Sequence, residues 1–272
     1  MVESIENMNV RKPAVAGQFY SGKEDALRKS IEQMLCKAES KIKATGIVSP
    51  HAGFMYSGPV AGHVYSNIEI PGTVVILGPN HTGIGEPYAI MTEGKWLMPF
   101  GEVEIESSLA KDILNSSQLI KEDLNAHKLE HSLEVQVPFL QYFRPDIKIV
   151  PIVIGGGAFL EIGEAIAKGL KKHKKDFLIV ASSDMTHYES HESAKKKDKL
   201  AIDAMLKLDE KEMLNKIRKH KISMCGYGPA SIMLIASKIL GAKNAKLVRY
   251  MTSGDTSGDY SAVVGYAGIA VY

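Results

Sequence analysis

Histidine and acidic residues follow several apolar segments of the sequence, where they could bind a metal or transfer a proton. His51 and His81 each come shortly after a separate apolar segment, and a third segment is followed by Asp184 and His187. Imidazole and carboxylate groups ligate transition metals, and both also act as acids and bases in catalysis. These four side chains are therefore the first candidates for a functional site.

The three apolar segments before these residues predict buried strands. If the strands are parallel, all three following loops lie at one edge of the sheet, where open α/β sheets bind ligands. The glycines and prolines beside His51 and His81 favour sharp exits from the strands. We therefore expect one pocket that contains residues from all three loops.

Cys225 precedes a predicted helix that begins at Pro229, a favoured residue of a first helical turn. The positive end of the helix dipole favours a thiolate, which is both a metal ligand and a nucleophile. Gly226 and Gly228 would let the backbone come close to a bound group. A buried, inert cysteine fits the same position, so both interpretations stay open. Cys36 lies among apolar residues of a predicted helix, where inert packing is expected.

A second polar cluster comprises Glu130, His131 and Glu134, at the start of a predicted helix over residues 131–143. Acids at this position can satisfy the free amides of a first helical turn. His131 and Glu134 are three residues apart and so share a helix face, which could instead support a metal ligand from outside. Pro138 predicts either a kink or a late start of this helix.

Apolar segments alternate with amphipathic ones along the chain. This order predicts an α/β fold, with a mixed, mostly parallel sheet flanked by helices in a single three-layer domain over residues 1–272. The predicted strands cover residues 44–48, 73–77, 88–92, 96–105 as a strand or hairpin, 147–154, 177–181, 246–252 and 261–271. The predicted helices cover residues 25–38, 58–67, 106–115, 131–143, 160–172, 194–207, 210–218 and 229–240.

The composition excludes several classes of protein. The 272 residues carry a net charge of only +2, so no basic field indicates a nucleic-acid partner. Two cysteines cannot form a disulfide framework, and this low number fits a reducing, cytoplasmic location. The sequence shows no signal peptide and no apolar segment of transmembrane length, so no membrane partner is expected.

Two other chemistries have weaker support. The glycines at 155–157 follow a predicted strand, but they lack the spacing and the terminal Lys-Ser/Thr of a phosphate loop, so a tight turn is predicted. Cys225 could act as a nucleophile with His187 or His51 as its base. No nucleophile-elbow motif supports such a hydrolase.

Five ordered motifs resemble the Memo family. They are PHAG at 50–53, LGPNH at 77–81, EHSLE at 130–134, SSD at 182–184 with His187, and CG at 225–226. The segment PAVAGQFY at 13–20 is similar to the family's prokaryotic members. The resemblance extends from Arg11 to Tyr272, essentially the whole chain.

The resemblance implies a fold similar to that of the class III extradiol dioxygenases, which cleave catechol rings with non-haem iron(II). Those enzymes bind iron through two histidines and a glutamate, whereas the Memo pocket has two histidines and a cysteine. Carried over to this chain, the metal ligands are His51, His81 and Cys225. The same resemblance implies catalytic or pocket-lining roles for His187, Asp184 and His131.

We therefore expect a metal-dependent redox or dioxygenase-like protein that uses a divalent transition metal, with Fe(II) favoured over Cu or Zn. Two imidazoles and one thiolate suit all three ions. The alternative is a non-catalytic binding or scaffold protein that takes a small molecule, peptide or partner protein in the same pocket. Prokaryotic relatives are named AmmeMemoRadiSam proteins, which implies AMMECR-domain and radical-SAM proteins as partners.

Overall fold

A computed structural model of the protein describes residues 9–173 and 175–272, and its strands join into one sheet. The strands are β1 (Val10–Arg11), β2 (Gly46–Ser49), β3 (Thr73–Pro79), β4 (Tyr88–Ile90), β5 (Lys95–Met98), β6 (Gly101–Ile105), β7 (Lys121–Glu122), β8 (Lys148–Ile154), β9 (Phe177–Ser182), β10 (His187–Glu189), β11 (Ala245–Thr252) and β12 (Val263–Val271). The helices are α1 (Glu24–Met34), α2 (Phe54–Asn67), α3 (Ser107–Leu114), α4 (Asn125–Lys128), α5 (Val137–Phe143), α6 (Phe159–Lys172), α7 (His191–Leu206), α8 (Glu210–His220), α9 (Tyr227–Ile239) and α10 (Gly254–Ser257).

The centre of the sheet is parallel and buried. Its strands follow the order β6-β8-β3-β9-β2, and every neighbouring pair in this stretch is parallel. Antiparallel strands extend the sheet on both sides, with β12 beside β2 and the hairpin β5–β6 at the far end. Continuous runs of valine, isoleucine and leucine form the central strands because helices cover both of their faces. The predicted mixed, mostly parallel α/β sheet is confirmed.

Helices form a layer on each face of the sheet. A side chain placed at Gly46 of β2 would meet Met233 of α9, whereas one at Gly268 of β12 would meet Val64 of α2. Gly46 lies opposite Val271 in the register, and residues 268 and 271 of one strand point to opposite faces. The helices α2 and α9 therefore lie on opposite sides, which gives the three layers.

The helix predicted over residues 131–143 begins later than expected. A short 3-10 helix, Glu134–Gln136, precedes α5, which starts at Val137 with Pro138 in its first turn. Proline is tolerated there because the amide it lacks would have no partner inside the helix. Glu130 and His131 consequently lie outside the helix, and the site uses both.

One other local prediction, that Cys36 lies within a helix, is wrong. α1 ends at Met34, and Cys36 lies beyond it with its amide donating to Ser66 Oγ at 3.2 Å. His127 is fully buried in α4 beside Trp96. The remaining predicted elements agree with the structure to within a few residues. No helix of the described residues is both long and apolar enough to cross a membrane.

Candidate metal site

The ends of three neighbouring strands position the predicted site residues. His51, His81 and Asp184 each lie two residues beyond the last residue of β2, β3 and β9 respectively. These strands are adjacent and parallel in the order β3-β9-β2, so their carboxyl ends lie side by side. The prediction that the three loops lie at one edge of the sheet is confirmed.

Cys225 reaches the same edge because Gly226 packs directly against β9. A side chain at Gly226 would lie 2.3 Å from Ser182 O, closer than any real contact, so only glycine permits this approach. The Gly226 amide also donates to Ser183 Oγ at 3.1 Å. Gly226 therefore places Cys225 close to β9 of the protein itself. The sequence had suggested a close approach to a bound group.

His51, His81 and Cys225 form a group that could hold one metal ion. One potential ligand atom from each residue lies within 4.8 Å of the other two, and Cys225 Sγ is 3.3 Å from His51 Nε2. A tetrahedral ion with ordinary metal–sulfur and metal–nitrogen distances separates two such atoms by about 3.5 Å. The residues present therefore fit a transition metal in both ligand type and spacing.

His51 is almost completely buried, and its ring is hydrogen-bonded through Nδ1 to Ser182 Oγ at 2.9 Å. Burial, together with the charges of nearby histidines, lowers the pKa of His51 well below its usual value. The ring is therefore neutral at pH 7, which is the form that binds metals.

His81 is supported by the buried carboxylate of Glu130. Glu130 Oε1 lies 2.9 Å from His81 Nδ1, and Oε2 accepts the His81 amide at 2.6 Å. Burial alone would raise the pKa of Glu130, but hydrogen bonds from His81 and Ser132 outweigh it and lower this pKa to about 2. The ionised carboxylate orients the His81 ring, as acids behind metal-bound histidines commonly do.

His131 lies beside both ligand histidines. Its ring stacks on His81 with centroids 4.6 Å apart, and it is 5.6 Å from the His51 ring. Phe19 covers its other side at 4.9 Å. Burial lowers the pKa of His131, so a neutral imidazole faces the pocket. With His81 and Glu130 it forms a second group of closely spaced potential ligand atoms.

Asp184 and His187 border the site without joining either group of potential ligands. Asp184 Oδ1 accepts the backbone amide of His51 at 2.8 Å, so Asp184 fixes the loop that carries His51. Burial raises the pKa of Asp184 to about 6. His187 Nδ1 lies 2.9 Å from the carbonyl oxygen of Ser223, which leaves its Nε2 as the free nitrogen.

The thiol of Cys225 is protonated before a metal binds. Burial and the Asp184 carboxylate raise its pKa far above the usual range. The thiolate expected from the dipole of α9 is therefore not formed by the helix alone. A bound cation would supply the missing positive charge, because a coordinated thiol loses its proton.

Several supporting residues were not found from the sequence. Ser182 was noticed only as part of the motif that contains Asp184, and Gln136 was not noticed, although both are fully buried. The polar Gln136 within an otherwise apolar segment was an available signal. Arg11 was also missed, although its guanidinium forms a fully buried ion pair with Glu134 at 2.7 Å.

The Arg11–Glu134 pair ties the N-terminal segment to the site. Arg11 also donates to the carbonyl oxygen of Glu130 at 2.8 Å. Glu134 accepts the amides of Ala14 and Val15 at 2.7 and 3.1 Å. Glu134 thus has the structural role, whereas Glu130 and His131 face the pocket, so the polar cluster at 130–134 serves both of the interpretations left open.

The fold and the site define an α/β protein with a possible His-His-Cys metal centre at the carboxyl ends of its parallel strands. The family model described as Memo-like protein matches residues 11–270, and the chain belongs to this family. A MEMO1 family protein of Methanopyrus kandleri is 43% identical and covers 95% of this chain and 98% of its own length. A MEMO1 family protein of Pyrobaculum aerophilum is 45% identical and covers 97% of this chain and 100% of its own length.

Among solved structures, the crystal structure of the uncharacterized protein JW3007 from Escherichia coli K12 is similar, with a TM-score of 0.52. The match covers 84% of this chain and 100% of that one, at 12% sequence identity. This likeness supports the overall fold.

Proposed function

We propose that this protein is a metal-dependent redox protein whose ion is held by His51, His81 and Cys225. The observation that carries the proposal is the convergence of these three side chains, from three distant parts of the chain, within 4.8 Å. Two imidazoles and one thiol in a partly buried pocket are a ligand set for Fe(II), Cu or Zn. Fe(II) is the proposed ion, in line with the iron(II) enzymes whose fold the sequence resembles.

Three protein ligands would leave a position for an exchangeable ligand such as water, substrate or oxygen. A bound Fe or Cu ion would supply redox and Lewis-acid chemistry at that position. Glu130 orients the His81 ring, and Asp184 fixes the backbone of His51. His131 and the free Nε2 of His187 are proposed as the groups that hold or transfer a proton beside the substrate.

Metal analysis of protein purified anaerobically without chelators tests the proposal. We expect close to one ion per chain in the wild type and at least a tenfold loss in His51→Ala and His81→Ala. His220→Ala, at the end of α8, is the matched control and should retain the ion. Unchanged metal content in both site variants would eliminate the site. The identity of the ion found decides between Fe, Cu and Zn.

A second candidate function, non-catalytic binding at the same site, is supported by exposed apolar side chains that follow the site residues closely in the sequence. Met55, Tyr188 and Tyr227 are 69%, 80% and 42% exposed and lie within four residues of His51, His187 and Cys225. Exposed apolar side chains of this size suit a protein or peptide partner. Equal partner binding by metal-free and metal-loaded protein would favour this candidate over the redox protein.

A further inference from the structure

Two buried polar side chains behind His51 have no part in the proposed chemistry. Ser182 Oγ lies 2.9 Å from His51 Nδ1, 2.6 Å from the carbonyl oxygen of Ser132 and 2.8 Å from Gln136 Nε2. Ser182 and Gln136 are both fully buried, so water does not compete for these hydrogen bonds. Their arrangement determines which nitrogen of His51 carries its proton.

The hydrogen bonds of Ser182 leave only one solution. A serine hydroxyl has one proton to donate and two lone pairs that accept. The carbonyl oxygen of Ser132 can only accept, so the Ser182 proton points to it. Both lone pairs must then accept, one from Gln136 Nε2 and one from His51. Nδ1 of His51 therefore bears the proton.

The orientation of the Gln136 amide is fixed by the same reasoning. Its Nε2 lies 2.9 Å from the carbonyl oxygen of Pro50, which can only accept, so the amide nitrogen and not the oxygen faces it. On the other side, the hydroxyl of Tyr65 donates to Gln136 Oε1 at 2.8 Å. Reversing the amide would place oxygen against oxygen and leave buried groups unpaired.

We infer that Ser182 and Gln136 are positioning residues that hold His51 as its Nδ1–H tautomer, with the Nε2 lone pair directed at Cys225 Sγ. The consequence for metal affinity rests on the proposed function, whereas the tautomer itself does not. Without the hydroxyl of Ser182, the Nδ1–H of His51 loses its acceptor, and the ring is free to turn or to change tautomer. Removing such a partner of a metal-bound histidine typically costs 10- to 100-fold in affinity.

The tautomer is measured directly by nitrogen NMR of the metal-free protein labelled with ¹⁵N-histidine, with His51→Gln used to assign the His51 ring. We expect a protonated Nδ1 and an unprotonated Nε2 in the wild type. In Ser182→Ala, the resonances should shift towards a mixture of tautomers. A wild-type His51 protonated at Nε2 would overturn the inference, whatever metal the protein binds.

Metal affinity is measured by titration with Co(II), whose sulfur-to-metal charge-transfer band reports coordination by Cys225. We expect Ser182→Ala to bind Co(II) about 10- to 100-fold more weakly than the wild type. Ser182→Thr, which keeps the hydroxyl, should recover most of the affinity. Ser237→Ala is the matched control, because Ser237 is an equally buried serine in α9 whose hydroxyl contacts Met233.

Gln136→Met serves as a second variant if Ser182→Ala does not fold, since it removes the amide at similar length. Like Ser182→Ala, this variant should give a mixture of His51 tautomers and bind Co(II) more weakly than the wild type. Wild-type affinity and a wild-type NMR spectrum in a folded Ser182→Ala or Gln136→Met protein would refute the positioning role. If the wild type binds no metal but shows the Nδ1–H tautomer, the proposed function fails and the tautomer assignment stands.

Discussion

The two histidines of the candidate metal site have different hydrogen-bond partners behind their rings, a neutral hydroxyl for one and a carboxylate for the other. His51 is 2% exposed, and its Nδ1 contacts the neutral hydroxyl of Ser182. The side chain of His81 is 32% exposed, and its Nδ1 contacts the carboxylate of Glu130. Both arrangements leave Nε2 available for a metal, but one relies on neutral groups and the other on a charge.

The difference follows from what each environment can stabilise. A carboxylate deep in the protein is costly unless several donors surround it. Glu130 has these donors, the amides of His81 and Ser132 as well as the His81 ring. His51 lies deeper in the protein beside the buried Asp184, and a hydroxyl behind its ring adds no further charge. The His81 side should therefore respond to the loss of a charged group, and the His51 side to the geometry of its hydrogen bonds.

The largest expected effect is on the His81 side, where Arg11→Met would leave the carboxylate of Glu134 buried without its cation. The side chains of this ion pair are both 0% exposed, and breaking a buried pair by removing one partner costs about 3–5 kcal/mol. Chemical denaturation of the variant should show this loss in the free energy of unfolding.

The matched control is Arg144→Met, because Arg144 and its partner Asp146 are 43% and 74% exposed. Exposed ion pairs contribute less than about 1 kcal/mol. A loss of that small size in Arg11→Met would mean that the buried pair does not stabilise the N-terminal segment.

The next effect is the response of the Glu130 carboxylate to acid. Its pKa is about 2 in the folded protein against 4.5 ordinarily, so it stabilises the fold by about 3 kcal/mol above pH 4.5. This contribution is lost as the pH falls from 4.5 towards 2. The advantage of wild type over Glu130→Gln in the free energy of unfolding of metal-free protein should shrink through that window. A constant difference between the two proteins across it would contradict this assignment.

His51 provides the contrast, because its contribution changes at higher pH. Its pKa is lowered below 6.5 in the folded protein, so the unfolded chain takes up a proton first. Stability from this group is present above pH 6.5 and is lost as the pH falls, by at most about 1.4 kcal/mol per pH unit. His51→Gln should reduce the measured slope between pH 6.5 and 4.5 by the share of this one group, whereas Glu130→Gln should leave the slope unchanged above pH 4.5.

The smallest expected effect is on the His51 side, where Tyr65→Phe removes the donor to Gln136 Oε1. A buried acceptor left without a partner costs about 1–2 kcal/mol. The free energy of unfolding should fall by that amount without a change in its pH dependence. Tyr142→Phe, in a half-buried tyrosine of α5, is the control and should change stability less. An effect of Tyr65→Phe no larger than that of Tyr142→Phe would show that this hydrogen bond does not stabilise the His51 side.

The local pattern of the sequence marked His51 and His81 as candidates and left Cys225 open, and the resemblance to the Memo family joined these three residues into one ligand set. The two histidines follow apolar strands, and the cysteine precedes a helix, so each signal lies within a few residues of the side chain it marks. The alternation of apolar and amphipathic segments along the chain predicted the α/β class and most of the strands and helices. The helix predicted from residue 131 starts at Val137, the late start that Pro138 allowed, and side-chain contacts of Glu130 and Glu134 shape the segment before it.

The supporting partners of the two histidines were decided only by the tertiary structure. Ser182 is 131 residues from His51, and Glu130 is 49 residues from His81. No local pattern relates residues so far apart, because their contact depends on the order and register of β2, β3 and β9. The sequence by itself determined which side chains could bind a metal. Only the packing of the strands and loops decided which neutral or charged group stands behind each ring, because hydrogen bonds require contact in space.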